Sequence, residues 1–268
     1  MKKFALAMLL LFSCSAAQAD LKLYVFDCGH LAFADISNFG LSNDETEVRE
    51  LFVPCYLIEH EQGRLLWDAG LPLDSVGPRE QGATSWYENS ILDQLQTIGL
   101  TPADIRFASF SHFHYDHVGA ANAFKDSTIL IQETELVAAF EHPEDNPAFR
   151  PPLYNELENS QRIVLDGDHD VFGDGSVMIV SAPGHTPGHQ VLSLQLENFG
   201  PLILSGDLYH FEATRRLRRT PDFNTDAQQT LESMDKVEAL IRETGATFWI
   251  EHNLELANSL NLAPAYYD

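Results

Sequence analysis

The chain has 268 residues, of which 44% are apolar and 10% aromatic, enough to build a full hydrophobic core. Its 40 acidic side chains outnumber the 16 Lys and Arg, so the formal charge at pH 7 is −24. A surface this acidic repels phosphate backbones and anionic lipid, which argues against nucleic acid as substrate or partner.

Residues 1–19 are typical of a secretory signal peptide. Two lysines begin the segment, an apolar run follows, and Ala17-Gln18-Ala19 supplies small residues at the positions that a signal peptidase reads. The apolar run is too short to be a stable membrane anchor. We therefore predict export to the periplasm or the medium, with residues 20–268 as one mature hydrolase domain. Two other interpretations are lipid attachment at Cys14 and a buried first helix.

The first half of the mature chain is predicted to alternate strands and helices. Alternating or continuous apolar runs predict strands at 21–27, 52–58, 64–67, 107–110 and 128–131. Helices are predicted at 91–98, where Gly99 ends the pattern, and at 133–140. The polar segment 37–50 and the proline-rich segment 141–152 are predicted loops, and the latter is a candidate lid.

The second half continues in the same way. Strands are predicted at 176–181, 190–196, 202–204 and 248–250. A long helix is predicted at 225–244, with Gly245 after its last residue. No linker interrupts the middle of the chain, so the alternation favours a single layered α/β domain.

Cys28 and Cys55 are the only cysteines of the predicted mature chain, and both lie in strand-like segments that could be neighbours. Export would permit a disulfide between them, and two buried thiols are the alternative. Neither belongs to a CxxC-type pair, which argues against a thiolate metal site.

Four side chains that bind metal ions lie within six residues, directly after the strand predicted at 107–110: His112, His114, Asp116 and His117. Imidazole and carboxylate groups are preferred ligands of Zn²⁺. In an extended segment two alternate residues point the same way and can chelate one ion, and a turn would aim the last two at a second ion. A surface histidine tract is the alternative, and the apolar residues on either side argue against it.

More candidate ligands follow later strands, where α/β folds gather their sites. They are His185 in Pro183-Gly184-His185-Thr186-Pro187-Gly188-His189, Asp207 in Ser205-Gly206-Asp207, and His252 after the last strand. His189 opens a strand and is predicted to support the site through a hydrogen bond.

This set of motifs resembles the metallo-β-lactamase superfamily over nearly the whole mature chain. The resemblance implies an αββα sandwich with metals at its rim. It also implies a first metal held by His112, His114 and His185, a second metal held by Asp116, His117 and His252, and Asp207 bridging both.

Within the superfamily, the chain is similar to the N-acyl homoserine lactonases. The similarity lies in the stretches 53–58, 67–70 and 183–190 and in the 22-residue step from His185 to Asp207. It implies two divalent metal ions, with zinc expected, and opening of a lactone ring by a metal-bridging hydroxide. It also implies a small ester or lactone as the substrate, and it makes Asp116 part of the catalytic centre.

The chain departs from the lactonase pattern at the tyrosine that follows the bridging aspartate. These lactonases carry a tyrosine three residues after the bridging aspartate, but here that residue is His210, and Tyr209 comes one position earlier. Either side chain could donate a proton or a hydrogen bond to the substrate. The alternative is that neither faces the site and that Tyr209 is a core aromatic.

Other features leave further alternatives. Pairing with acidic loops is favoured over carboxylate binding for the basic cluster of Arg215, Arg216, Arg218 and Arg219. Packing is favoured for Phe113 and Tyr115, and an acyl pocket could include Phe33, Phe39 and Trp86. The rival functions are another hydrolase of this fold (a β-lactamase, a thioesterase, or an organophosphate or carboxyl esterase) and a non-catalytic zinc-binding protein.

Overall fold

The structure is a computed structural model that describes residues 20–268. The predicted signal peptide, residues 1–19, lies outside this range. Within residues 20–268, no helix combines the length and the apolar character required to cross a membrane.

The described part of the chain contains twelve strands and five α-helices, joined by loops and short 3-10 turns. The strands are β1 (Lys22–Ala32), β2 (Glu50–His60), β3 (Gly63–Trp67), β4 (Ser85–Trp86), β5 (Phe107–Ser109), β6 (Thr128–Gln132), β7 (Arg162–Leu165), β8 (His169–Asp170), β9 (Val177–Ser181), β10 (Gln190–Leu196), β11 (Gly200–Leu204) and β12 (Thr247–Trp249). The helices are α1 (Ile91–Thr97), α2 (Glu133–Phe140), α3 (Glu212–Leu217), α4 (Ala227–Thr244) and α5 (Leu254–Ala257).

The strands form two sheets. The first has the order β4-β1-β2-β3-β5-β6-β7, antiparallel from β4 to β3 and parallel from β3 to β7. The second has the order β12-β11-β10-β9-β8, and only its β11–β12 pair is parallel. Parallel neighbours bring the ends of β3, β5 and β6 to the same sheet edge.

Alternating side chains divide the core into three apolar layers. On β2, Tyr56 and Ile58 pack against the second sheet, whereas Leu57 faces the layer that contains α1 residues. On β11 the neighbours Leu202 and Leu204 face the first sheet, and Ile203 faces the layer that contains α4 residues. Helices therefore cover the outer face of each sheet, and the predicted αββα sandwich is confirmed.

The first strand extends beyond its prediction. The alternating pattern ends at Asp27, but β1 continues to Ala32 through an irregularity at which the pairing with β2 shifts between Asp27 and His30. Gly29 lies in this irregularity with a φ of 140°, a backbone conformation that residues other than glycine rarely adopt. The same irregularity brings Cys28 next to Cys55 of β2, and the two form a disulfide.

Candidate metal centre

The four ligand-type residues of the first motif occupy a tight loop directly after β5. The loop returns against the segment that follows β3, where Gly119 N–H donates to the carbonyl of Gly70. A Cβ at Gly119 would lie 2.1 Å from the backbone of Leu71, so only glycine fits this approach. This packing fixes the loop at the rim of the sandwich.

Three histidines and one carboxylate oxygen form the first group of candidate ligands. His185 Nε2 lies 3.2 Å from His112 Nε2, 3.1 Å from His114 Nδ1 and 3.2 Å from Asp207 Oδ2. His112 Nε2 lies 3.5 Å from the same carboxylate oxygen. Ligand atoms on a tetrahedron with bonds of about 2.0–2.1 Å are about 3.3–3.4 Å apart, so the spacing fits zinc.

The second group faces the other oxygen of the same carboxylate. Asp207 Oδ1 lies 3.2 Å from His117 Nε2 and 2.9 Å from His252 Nε2. Asp116 Oδ2 lies 3.9 Å from each of these two nitrogens. Asp207 is therefore placed between the two groups, with one oxygen toward each, as a bridging ligand would be.

Two of these atoms have no hydrogen-bond partner although they are buried, namely His117 Nε2 and Asp207 Oδ1. Unpaired buried polar atoms cost about 1–3 kcal/mol each, so such atoms side by side require an explanation. A divalent cation bound between them would satisfy both. The residues present therefore fit a pair of metal ions, the first held by His112, His114 and His185, the second by Asp116, His117 and His252, with Asp207 shared.

The charge states of the histidines also suit metal binding. Burial, reinforced by neighbouring histidines, holds the pKa of His112 and of His114 well below the usual value, so their rings are neutral and offer lone pairs. Burial alone would lower the pKa of His252, but the Asp207 carboxylate outweighs it and raises that pKa to about 9. In the metal-free protein the second group therefore holds protons that a metal would displace.

Each of three candidate ligand histidines is oriented by a hydrogen bond at its other ring nitrogen. His117 Nδ1 lies 2.8 Å from Asp68 Oδ2, His185 Nδ1 lies 2.9 Å from Asn224 Oδ1, and His252 Nδ1 donates to the carbonyl of Phe52 at 2.7 Å. These contacts leave the Nε2 atoms directed at Asp207. The sequence prediction missed these partners, although Asp68 lies in the 67–70 stretch that carries the family resemblance.

A buried carboxylate ties the two ligand loops of the first group together. Glu135, in the first turn of α2, accepts hydrogen bonds from Phe113 N–H at 2.9 Å and from Gly188 N–H at 2.8 Å. Phe113 lies between His112 and His114, and Gly188 lies in the loop of His185. No motif pointed to this residue, because the acidic first turn of a helix is ordinary.

The model of the metallo-β-lactamase superfamily matches residues 48–244, which is most of the chain. The chain belongs to this superfamily. It is 29% identical to the N-acyl homoserine lactonase AttM of Azorhizobium caulinodans over 93% of this chain and 99% of the relative. It is 27% identical to the N-acyl homoserine lactonase AiiA of Bacillus thuringiensis subsp. kurstaki, over 91% and 98%.

A solved structure shows the same similarity. It is an N-acyl homoserine lactone hydrolase with the product N-hexanoyl-L-homoserine bound at its catalytic metal centre. The TM-score is 0.77 at 26% identity, over 91% of this chain and 98% of that one. Together, the family, the relatives and the ligand geometry show a metal-dependent hydrolase.

The structure separates the two candidate proton donors. Tyr209 is buried in the apolar layer beside α4, and its hydroxyl donates to Glu238 Oε1 at 3.3 Å, so the structure does not bring it to the ligand groups. His210 faces the other way, with Nε2 3.0 Å from Asp207 Oδ2. Because the backbone at Tyr209 is extended, successive side chains point to opposite sides.

A cavity of about 660 Å³ opens onto the site, within the usual range for small-molecule pockets. His210 and four of the metal-ligand candidates line it, namely His114, Asp116, Asp207 and His252. The candidate lid contributes residues 145–148, and the remaining wall includes several apolar side chains, namely Leu31, Phe33, Phe39, Leu51, Tyr115 and Phe223.

The structure also shows where the aromatic residues and the basic cluster discussed in the sequence analysis lie. Phe33 and Phe39 line this cavity, but Trp86 does not and stacks on His30 instead. Phe113 packs in the core as predicted, whereas Tyr115 contributes to the cavity wall. Three arginines of the basic cluster pair with acids, in the pairs Arg215–Glu238, Arg218–Asp235 and Arg219–Glu45.

Proposed function

We propose that the protein opens the lactone ring of N-acyl homoserine lactones. The observation that carries this proposal is the full-length similarity to relatives named for that activity, combined with a ligand set that matches a two-metal hydrolase. The cavity is large enough for a small acylated ring.

The charge of the cavity supports an uncharged substrate. Among its described lining residues are five aspartates, two of them candidate metal ligands, and no lysine or arginine. A β-lactam carries a carboxylate, which would meet the outer aspartates Asp35, Asp145 and Asp222 without a basic side chain to pair with. A neutral acyl homoserine lactone avoids this repulsion, and this difference favours a lactonase over a β-lactamase.

We further propose that the resident ions are zinc and that Asp207 bridges them. When bound, such a pair supplies a nucleophilic hydroxide near neutral pH and polarises the ester carbonyl. The negative charge of Asp116 would balance part of the positive charge of an ion bound by the second group. In this arrangement the ester bond that reacts would lie where the cavity meets the buried ligand cluster.

His210 is proposed to assist at the leaving oxygen. Burial lowers the pKa of His210 despite the nearby Asp207 carboxylate, so the ring is neutral at pH 7 and carries a single N–H. In the metal-free protein Asp207 Oδ2 lies within reach of that N–H, and we propose that the N–H turns to the leaving oxygen when a metal ion occupies the carboxylate. It takes the position in sequence at which the related lactonases carry tyrosine. We expect His210→Gln to lower kcat with little change in KM and Tyr209→Phe to leave both unchanged, and the reverse pattern would contradict this assignment.

The proposed function is tested by substrate comparison. Zinc-loaded protein should hydrolyse N-hexanoyl homoserine lactone, measured by proton release, and should show little activity on a penicillin or on paraoxon. A matched sample stripped with a chelator and reloaded with zinc should lose and regain that activity. Efficient turnover of another substrate with the lactone untouched would overturn the proposal.

We also propose that the protein is exported. The signal-like composition of residues 1–19 supports this, and the Cys28–Cys55 disulfide is typical of oxidising compartments. Mass spectrometry of the protein from a periplasmic fraction and from the medium should find an N-terminus at Asp20. A protein that retains residues 1–19 in the cytoplasmic fraction would refute export.

A further inference from the structure

A second, more apolar groove adjoins the catalytic cavity. It encloses about 520 Å³ between one face of α2 and the candidate lid, with Pro187 and Thr225 at its side. Four residues of α2 line it, namely Glu133, Thr134, Val137 and Ala138. Their spacing puts them on one side of the helix, while Glu135 and Ala139 point into the protein.

The floor of the groove combines apolar side chains from α2, the lid and the loop of His185. Val137 is 37% exposed, and Phe149 of the lid and Pro187 lie in the same depression. Val137 is the central position of the helix face. An exposed apolar depression of this kind is typical of a binding surface rather than of a solvated one.

The groove adjoins the catalytic cavity. Three residues line both, namely Asp145, Asn146 and Thr225. The Asn146 side chain stands at the junction, with Nδ2 3.0 Å from Nε2 of the ligand histidine His114. The Phe149 ring lies 5.7 Å from the same histidine. A ligand that reaches the metal side of His114 therefore enters the groove by extending past Asn146.

From this adjacency we infer that the groove binds the distal part of a long acyl chain while the lactone ring lies at the ligand cluster. The inference rests on the proposed function and specifies its substrate class as lactones with long acyl chains. Polar atoms at the junction suit the amide that joins ring and chain, and the apolar floor suits methylene groups. The groove offers Val137, Ala138 and Phe149 as an apolar floor. Its charged lining residues are the acids Glu133 and Asp145, with no lysine or arginine among the described lining residues, so it would repel an anionic occupant and accept a neutral hydrocarbon chain.

The test compares chain lengths. Val137→Asp places a charge at the centre of the groove, and we expect kcat/KM for N-dodecanoyl homoserine lactone to fall at least about tenfold, since each buried methylene contributes about a factor of four. The value for N-butanoyl homoserine lactone should stay within about twofold, because its chain ends before the groove. Val137→Ile should retain the long-chain activity.

The matched control is Val164→Asp, which introduces the same charge at an exposed valine on β7, outside both cavities. It should leave both substrates unaffected. Equal losses on both chain lengths in Val137→Asp, or no loss on either, would overturn the inference while leaving the lactonase proposal intact. A wild-type enzyme that hydrolyses neither lactone would overturn the proposed function, and the groove assignment with it.

Discussion

Glu135 provides the sharpest test of how the first ligand group is held in place. Glu135→Ala removes a buried carboxylate that accepts two backbone N–H groups, from Phe113 and from Gly188. The alanine variant leaves both buried N–H donors unsatisfied, at a cost of about 1–3 kcal/mol each, so the free energy of unfolding should fall by about 2–6 kcal/mol. Urea denaturation of the metal-free protein measures this loss directly.

Glu135→Gln separates positioning from folding. The amide keeps the volume of the side chain, but its oxygen can accept from one N–H while its NH₂ group faces the other. We expect the affinity of the His112, His114 and His185 group for zinc to fall about 10–100-fold, as for other groups that orient metal ligands. Competition with a chromophoric chelator measures the affinity, and Co²⁺ absorption reports the ligand geometry.

The control for Glu135 is its neighbour in the same helical turn. Glu133→Gln removes the same charge from the N-terminus of α2 but at an exposed side chain. It should leave the urea midpoint and both zinc affinities unchanged. If Glu135→Gln also binds two zinc ions with wild-type affinity and stability, then the carboxylate does not align the two loops and our reasoning is refuted.

Three further predictions concern the disulfide and the bound ions. Replacing Cys28 and Cys55 by Ser should lower the free energy of unfolding by about 3–4 kcal/mol, because the bond spans 27 residues; an unchanged urea midpoint would argue against the bond. Asp207→Ala should lose at least one zinc ion on dialysis, and two equivalents by elemental analysis would contradict a bridging role. Burial lowers the pKa of His252, but the Asp207 carboxylate outweighs burial and raises that pKa to about 9. Below pH 9 the ring is therefore protonated, and zinc must displace this proton to bind. Burial also opposes a raised pKa at His117, but Asp207 and Asp68 outweigh it and hold that pKa well above its usual value. The zinc affinity of the second group should therefore fall at least about tenfold per unit of falling pH, and calorimetry without proton release would disprove this.

The ligand motifs were predictable because they are local. His112 to His117 lie in one loop directly after a strand, and the later candidates follow strand ends, so their positions indicated that they could converge. The family resemblance then implied how they divide between two ions. The supporting groups were not predictable in this way. Asp68 lies 49 residues from His117, and Asn224 lies 39 residues from His185, and only the folded chain brings such ordinary polar residues into contact.

The choice between Tyr209 and His210 shows a second limit of the sequence. In an extended segment, neighbouring side chains face opposite sides, so a shift of one residue exchanges core for cavity. The sequence identified Tyr209 and His210 as candidates but not which of the two side chains faces the cavity. Three strands were missed for a different reason. β4 and β8 contain two residues each and are too short to show any period. β7 is a four-residue strand at the end of the first sheet, and its consecutive apolar residues Ile163 and Val164 are both exposed, so no alternating pattern marks it.

The ligands of the candidate centre come from both halves of the sandwich. His112 to His117 follow a strand of the first sheet, whereas Asp207 and His252 follow strands of the second, and His252 is itself bonded to the backbone of Phe52 in β2. Bound ions would therefore cross-link the two sheets, which are otherwise joined mainly by apolar contacts. At a free zinc concentration 100 times Kd, one such ion adds about 2.7 kcal/mol to the stability of the native state. A low free zinc concentration would then reduce the stability of the folded protein as well as its catalytic activity.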